Sequence, residues 1–444
     1  MKFSAAYIPI GVGTFHLESA QNEFEKSIKL LKSIDESVAV PSEMLLTIDK
    51  LTAYLDTLNP DFVIVQNLTF ANSAYMSEVL KRFDCPILLW TLREPVIDGT
   101  RLRLNSLTGA FSAANSIKGF GRSFEYIFGS PEEKKVIAKV KATYCAAKIK
   151  KEMRSLKLLQ VGHTPQGFGF GRALDLDMLK TFGVTVDSIE ARELIDTAKA
   201  YKSEDIKPYL EDAAKRICGL DSIDSKNVED FARLYKAYAE YVKNNNVGAL
   251  ASRCWPDFFT AFGTPVCSVL GILNDLGVYA ACEADSYGAL SMYVAGKITD
   301  KSVFFGDPVS LDEGENTITF WHCGMAACSL AREDTGACAG LHCNRKIGPT
   351  LDFGCKAEPE VTVFRIGRKQ DGTFRFMLAK GKALDKPRQF YGTSIVVETE
   401  NNSYDIINKA VLEGWEPHYA VAMGDITAEV EALGNMLGIE VCRF

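Results

Sequence analysis

Short apolar runs alternate with longer, mixed stretches over the first two thirds of the chain. Asp61 to Gln66 (Asp-Phe-Val-Ile-Val-Gln) and Pro86 to Trp90 (Pro-Ile-Leu-Leu-Trp) are continuous and apolar, as expected of parallel strands covered on both faces. Phe15 to Ser33 and Asn72 to Phe83 read as helices. Pro131-Glu132-Glu133 opens another that runs toward Ser155, because proline and acids suit a helix N-terminus. A second strand-helix series starts at Leu156 to Gly162. It continues through Val184 to Ile189, helices around Ile206 to Ile217 and Val228 to Lys243, and strands at Val247 to Ser252 and Tyr279 to Glu283. Two such series predict two doubly wound α/β domains, 1–155 and 156–300.

Beyond about residue 300 helical periodicity fades. Thr317 to Phe320, Val361 to Gly367, Thr373 to Leu378 and Thr393 to Glu398 alternate as antiparallel strands do, and Gln370-Asp371-Gly372-Thr373 is a hairpin turn signal. The third domain, 301–444, is therefore expected to hold a small antiparallel β-barrel or sandwich. Its end, Tyr404 to Leu412, Tyr419 to Met423, Thr427 to Leu437 and Ile439 to Cys442, returns to α/β character.

Bulk properties narrow the function classes. The chain has 444 residues, 47% hydrophobic and 24% charged, which fits a multidomain globular protein. A net charge of −7, without a Lys/Arg-rich block, opposes nucleic-acid binding. No apolar stretch approaches the roughly 20 residues that span a bilayer. Met1 to Ile10 reads as a first core strand rather than a signal peptide, so the cytoplasm is the expected compartment. Twelve cysteines are scattered, and Cys85, Cys145, Cys267 and Cys282 in apolar runs read as buried free thiols.

Candidate chemistry concentrates on two carboxylates and a late histidine: Cys-Glu-Ala-Asp (Glu283, Asp285), Phe-Gly-Asp-Pro (Asp307) and Glu-Pro-His-Tyr (His418). A charged group closing a buried strand needs a partner, and two neighbouring carboxylates repel unless a cation or proton joins them. Strand, helix and next strand separate Glu283 from Asp307. Adjacent parallel strands would therefore bring both to one carboxyl-terminal edge. Oxygen ligands suit Mg²⁺ or Mn²⁺, and an imidazole shifts the choice toward Mn²⁺. Asp285 reads as the N-cap of the helix that follows. His322, after strand Ile318 to Trp321, is a further candidate ligand. Cys323, Cys328, Cys338, Cys343 and Cys355, with His322 and His342, form a rival metal cluster whose spacing departs from zinc ribbons. The string Pro165 to Arg172, rich in glycine, reads as a loop lining the site, with anion cradling as the alternative.

Ser252-Arg253-Cys254-Trp255-Pro256, Ala281-Cys282-Glu283-Ala284-Asp285-Ser286-Tyr287-Gly288, Phe304-Phe305-Gly306-Asp307-Pro308, Trp321-His322-Cys323-Gly324 and Pro417-His418-Tyr419 occur in this order. So arranged, the chain resembles the L-fucose isomerase/L-arabinose isomerase superfamily, most closely its fucose-isomerase-like branch. The resemblance implies two α/β domains followed by a barrel-containing one, and a Mn²⁺-dependent aldose–ketose isomerase working through an enediolate, with another divalent cation as a substitute. It makes Glu283 and Asp307 ligands that double as acid and base, and His418 a ligand. His322 is either a ligand or a substrate contact. It also places Arg253 and Trp255 on the pocket lining, puts Trp90 against a neighbouring subunit's sugar, and implies a homo-oligomer, trimer or hexamer, with inter-subunit active sites. The sugar stays open, an anionic one such as sulfoquinovose included. A metal-dependent aldolase or dehydratase is a rival enzyme, and a cysteine-ligated metalloprotein is the non-enzymatic rival.

Overall fold

A computed structural model describes residues 3–444, which form two compact units. One comprises the chain up to Glu152 together with Ala428–Ile439; the other comprises Met153–Thr427 with Glu440–Phe444.

The first unit is built on a parallel sheet of β1 (Ala5–Ile10), β2 (Phe62–Asn67), β3 (Ile87–Thr91) and β4 (Glu125–Phe128), in that order. Bridges from Ala6 to Ala39 and from Ile10 to Leu45 add an extended segment on the far side of β1. Strands β1 to β3 are buried at every position, which explains their unbroken apolar runs.

The second unit carries another parallel sheet and the barrel. Strands β5 (Lys157–Val161), β6 (Thr185–Ile189), β7 (Ala249–Ser252) and β8 (Tyr279–Cys282) take the order β6-β5-β7-β8. The order reverses between β5 and β7, and the carboxyl edge at such a switch is where open α/β sheets bind ligands. The barrel strands are β9 (Phe304–Asp312), β10 (Thr317–His322), β11 (Glu358–Arg368), β12 (Phe374–Ala383), β13 (Thr393–Thr399) and β14 (Tyr419–Ala422). Antiparallel pairing runs β13-β10-β9-β14-β11-β12 and closes from β12 to β13, so six strands leave no free edge. The turn at Gln370–Thr373 joins β11 to β12 as expected, with Gly372 at φ 87°. The last strand, β15 (Glu440–Arg443), adds parallel to β12. No helix among the described residues is long and apolar enough to cross a membrane.

One expectation needs correction. Asp307 does not close a parallel strand beside β8; it lies within β9, in the antiparallel barrel. The buried helix Ser286–Thr299 links the two sheets, and its first eleven residues are all buried. Nearly apolar all round, it behaves as a core helix rather than an amphipathic surface one.

Its approach to the barrel depends on Gly288. A Cβ there would stand 2.6 Å from the Phe305 ring and 2.8 Å from Asp285 Oδ2. Gly288→Ala would gain about 1 kcal/mol of helix propensity but overpack by about 1–3 kcal/mol. We expect a net loss of stability, read as a lower denaturation midpoint; an unchanged or raised midpoint would contradict this packing.

Candidate functional site

Strand β8 delivers Glu283 at its carboxyl end through an unusual turn. Glu283 and Ala284 both adopt the left-handed region, at φ 59° and 55°. For residues with a Cβ this costs about 1–2 kcal/mol each, so surrounding contacts must hold it. They do: the Trp255 indole N–H donates to Glu283 Oε1 at 3.2 Å, and His418 Nε2 lies 2.9 Å from Glu283 Oε2. Asp307 Oδ1 stands 3.5 Å from the same His418 nitrogen. His322 Nε2 is 4.0 Å from Glu283 Oε2 and has no hydrogen-bond partner although buried. The side chains of Glu283, Asp307, His322 and His418 thus come together, as their sequence context predicts.

Behind them sits Asp285, fully buried. It caps the helix by accepting from the Gly288 N–H at 2.9 Å. It also binds the buried Arg365 guanidinium through both oxygens, at 2.6 and 3.1 Å, and meets His418 Nδ1 at 2.9 Å. The N-cap reading of Asp285 was therefore correct but incomplete. Because a carboxylate only accepts, His418 donates from Nδ1 to Asp285 and from Nε2 to Glu283, with Asp307 beside the same nitrogen. His322 is arranged the opposite way. Its Nδ1 accepts the Cys323 backbone N–H at 3.0 Å, so the neutral ring keeps its proton on Nε2.

The electrostatics follow from these contacts. Burial would raise the Asp285 carboxyl, yet Arg365 and His418 hold it well below the usual range. Burial works against the charged form of His418, but Asp285 and Glu283 win and raise it to about 10. Burial would raise Glu283, but the hydrogen bond to the charged His418 ring holds it below its ordinary value. Asp307, with no bond of that kind, is raised by burial, and Glu283 adds to the rise. The ligand-capable atoms of Glu283, His322 and His418 all lie within 4.8 Å of one another. With Asp307 beside them they make an oxygen-rich set that includes an imidazole nitrogen able to give up its proton, a donor set that fits a divalent ion such as Mn²⁺.

The other candidates are placed as follows. Trp255 touches Glu283 directly, whereas Arg253 is engaged by Asp257 at 2.7 Å. Trp90 is completely buried within the first unit and donates its indole N–H to the Gly129 carbonyl, so its ring has no exposed face in this chain. The loop after β5 does line the site: the Phe170 ring is 5.5 Å from His418, and Phe168 is 6.0 Å from Trp255. The cysteines of the 323–355 stretch do not gather into one site. Cys338 is disulfide-bonded to Cys218, while the Cys323 sulfur approaches Cys267 and His342. Cys85, Cys145, Cys267 and Cys282 are free thiols, as expected, but only Cys267 and Cys282 are buried; Cys85 and Cys145 are half-buried.

Arg365 was missed by the sequence reading. An arginine between Phe364 and Ile366 in an apolar strand was the available signal, since a charge there requires a buried partner.

Known proteins can be set beside this geometry. Residues 322–444 match the family described as L-fucose isomerase, C-terminal domain. A sulfoquinovose isomerase from Clostridium sp. (strain MSTE9) is 57% identical over 440 residues, covering 99% of this chain and 98% of that protein. Sulfoquinovose isomerases from Priestia aryabhattai and Alkalicoccus urumqiensis are 36% and 35% identical, each covering 98% of this chain and 97% and 98% of their own lengths.

The buried triad makes two measurable demands. Asp285→Asn leaves Arg365 charged and uncompensated and should cost about 3–5 kcal/mol in chemical denaturation. The double change Asp285→Asn with Arg365→Met should cost less than the two single changes summed; simple additivity would refute the coupling. In chelator-treated protein, His418 is raised above its unfolded value of about 6.5. Its contribution to stability is therefore full below that pH and is lost as pH rises toward about 10. Imidazole NMR should show this ring still protonated at pH 8; a neutral ring there would overturn the assignment.

Proposed function

Because the chain belongs to the fucose isomerase-like family and is an aldose–ketose isomerase, we propose that it converts the aldose sulfoquinovose to its 2-ketose at the Glu283–Asp307–His418 cluster. One observation carries the reading: two carboxylates from different sheets converge on one imidazole nitrogen, and the other nitrogen of that ring is fixed by a buried carboxylate. The relatives named for sulfoquinovose match essentially the whole chain, which supports the choice of sugar.

Glu283, Asp307 and His418 would hold Mn²⁺ or a similar divalent cation, which when bound supplies Lewis-acid stabilisation of negative charge on adjacent sugar oxygens. Aldose–ketose exchange moves a proton from C2 to C1 and another from the C2 hydroxyl to the C1 oxygen. Two carboxylates flanking the C1–C2 bond suffice: one of Glu283 and Asp307 takes the carbon-bound proton, and the other carries the hydroxyl proton. Trp255 and His418 keep Glu283 aimed, and Phe168 and Phe170 shield the reacting carbons from water. His418 suits a ligand because its Nε2, which would give up its proton to a bound cation, faces both carboxylates. His322 suits a substrate contact, donating from its unpaired Nε2–H to a sugar oxygen.

Three results test this. Incubation with sulfoquinovose should give a product of identical mass, with solvent deuterium entering at carbon; a mass change would point to aldolase or dehydratase chemistry instead. Glu283→Gln and Asp307→Asn should each lower kcat by about 10²–10⁴, and near-normal turnover in either would remove it from the mechanism. His418→Ala should lose bound metal, whereas His322→Gln should retain it while losing activity. Metal analysis showing equal loss in both variants would make His322 a ligand after all.

A further inference from the structure

We propose that Arg172, at the end of the glycine-rich loop after β5, grips the anionic group at the far end of the sugar and sets specificity for it. The inference rests on the isomerase reading above. β5 is the central strand at the switch point of its sheet, so this loop leaves the edge where ligands collect. It lies directly on the catalytic turn: a Cβ on Gly171 would stand 2.8 Å from Asp285 Cα, so only glycine permits that approach. Phe170 packs on His418, and the Arg172 N–H closes a short turn onto the Gly169 carbonyl at 3.2 Å. The backbone of Arg172 is thereby fixed two residues from a ring that touches the reacting centre.

Its charge is uncommitted. The guanidinium makes one long hydrogen bond, 3.4 Å to Thr164 Oγ1, and among the described residues no carboxylate lies within ion-pair distance. The other arginines around the site are neutralised: Arg253 by Asp257, Arg365 by Asp285, and Arg368 by Asp177. Arg172 is exposed, so a sugar with its C1–C2 end at Glu283 and Asp307 would reach it with its C6 substituent. A sulfonate there offers oxygens that a guanidinium fork matches better than an ammonium does.

The test compares sulfoquinovose with quinovose, the same sugar without the sulfonate, in wild type, Arg172→Gln, Arg172→Lys and the control Arg192→Gln. Arg192 is an exposed arginine paired to Asp196. Arg172→Gln should lower kcat/KM for sulfoquinovose about 10- to 100-fold, mainly through KM, and leave quinovose unchanged. Arg172→Lys should fall between, and Arg192→Gln should match wild type. An equal loss on both sugars would make Arg172 a structural part of the loop, and no loss would remove it from recognition; either result overturns the proposal. If wild type turned over neither sugar, the sulfoquinovose reading would fail instead. Calorimetry would then still decide on Arg172, since equal sulfoquinovose affinity in wild type and Arg172→Gln would refute its role.

Discussion

Everything in the second unit that bears on chemistry depends on one buried carboxylate. Asp285 has no access to solvent, so its charge must be met entirely by protein. Arg365 meets it from barrel strand β11, His418 from the residue before β14, and the Gly288 N–H from the helix the carboxylate begins. Three segments distant in sequence are thus tied to one side chain. Alone, the ion pair is not evidence of great stability, because desolvation consumes most of its attraction. Its value lies in specificity of geometry: with both oxygens occupied, it keeps a proton on His418 Nδ1 and fixes which way the ring faces.

The turn at Glu283 and Ala284 is the complementary feature. Consecutive left-handed residues are unfavourable locally, and they sit where β8 ends and Asp285 begins. An ordinary β-to-helix turn could cap the helix just as well. The strained one rotates the Glu283 carboxylate toward Trp255, His418 and the barrel. The sheet and the barrel therefore each supply one carboxylate, with the buried helix Ser286–Thr299 joining them along the chain.

This division explains what could be read from the chain. The fully buried strands β2 and β3 and the alternating strands β11 to β13 announced themselves, because periodicity follows directly from which faces are covered. So did Glu283, Asp307 and His418, each an ionisable residue beside an apolar run. The neighbour of Asp307 was misplaced because spacing alone does not distinguish a strand continuing the same sheet from one opening a barrel; register and closure decide that. The partner of Arg365 and the approach of Cys323 to Cys267 were invisible because they join residues about eighty and fifty-six positions apart. Only the closed barrel brings them into range.

The two histidines show how far local hydrogen bonding, rather than residue type, determines role. His322 and His418 lie 5.8 Å apart, ring centre to ring centre, beside the same glutamate. One has Nδ1 against a carboxylate, the other against a backbone N–H. A carboxylate partner makes the imidazole a better base and leaves its far nitrogen free to bind a cation; an N–H partner does the reverse and leaves a donor. With Glu283 and Asp307 clustered, the site repels an anionic substrate unless cations are distributed to match it. Such a substrate is best accommodated with its negative group held away from the carboxylates and its neutral C1–C2 end among them. A divalent ion at one end and an unpaired guanidinium at the other would therefore orient the sugar before any bond changes.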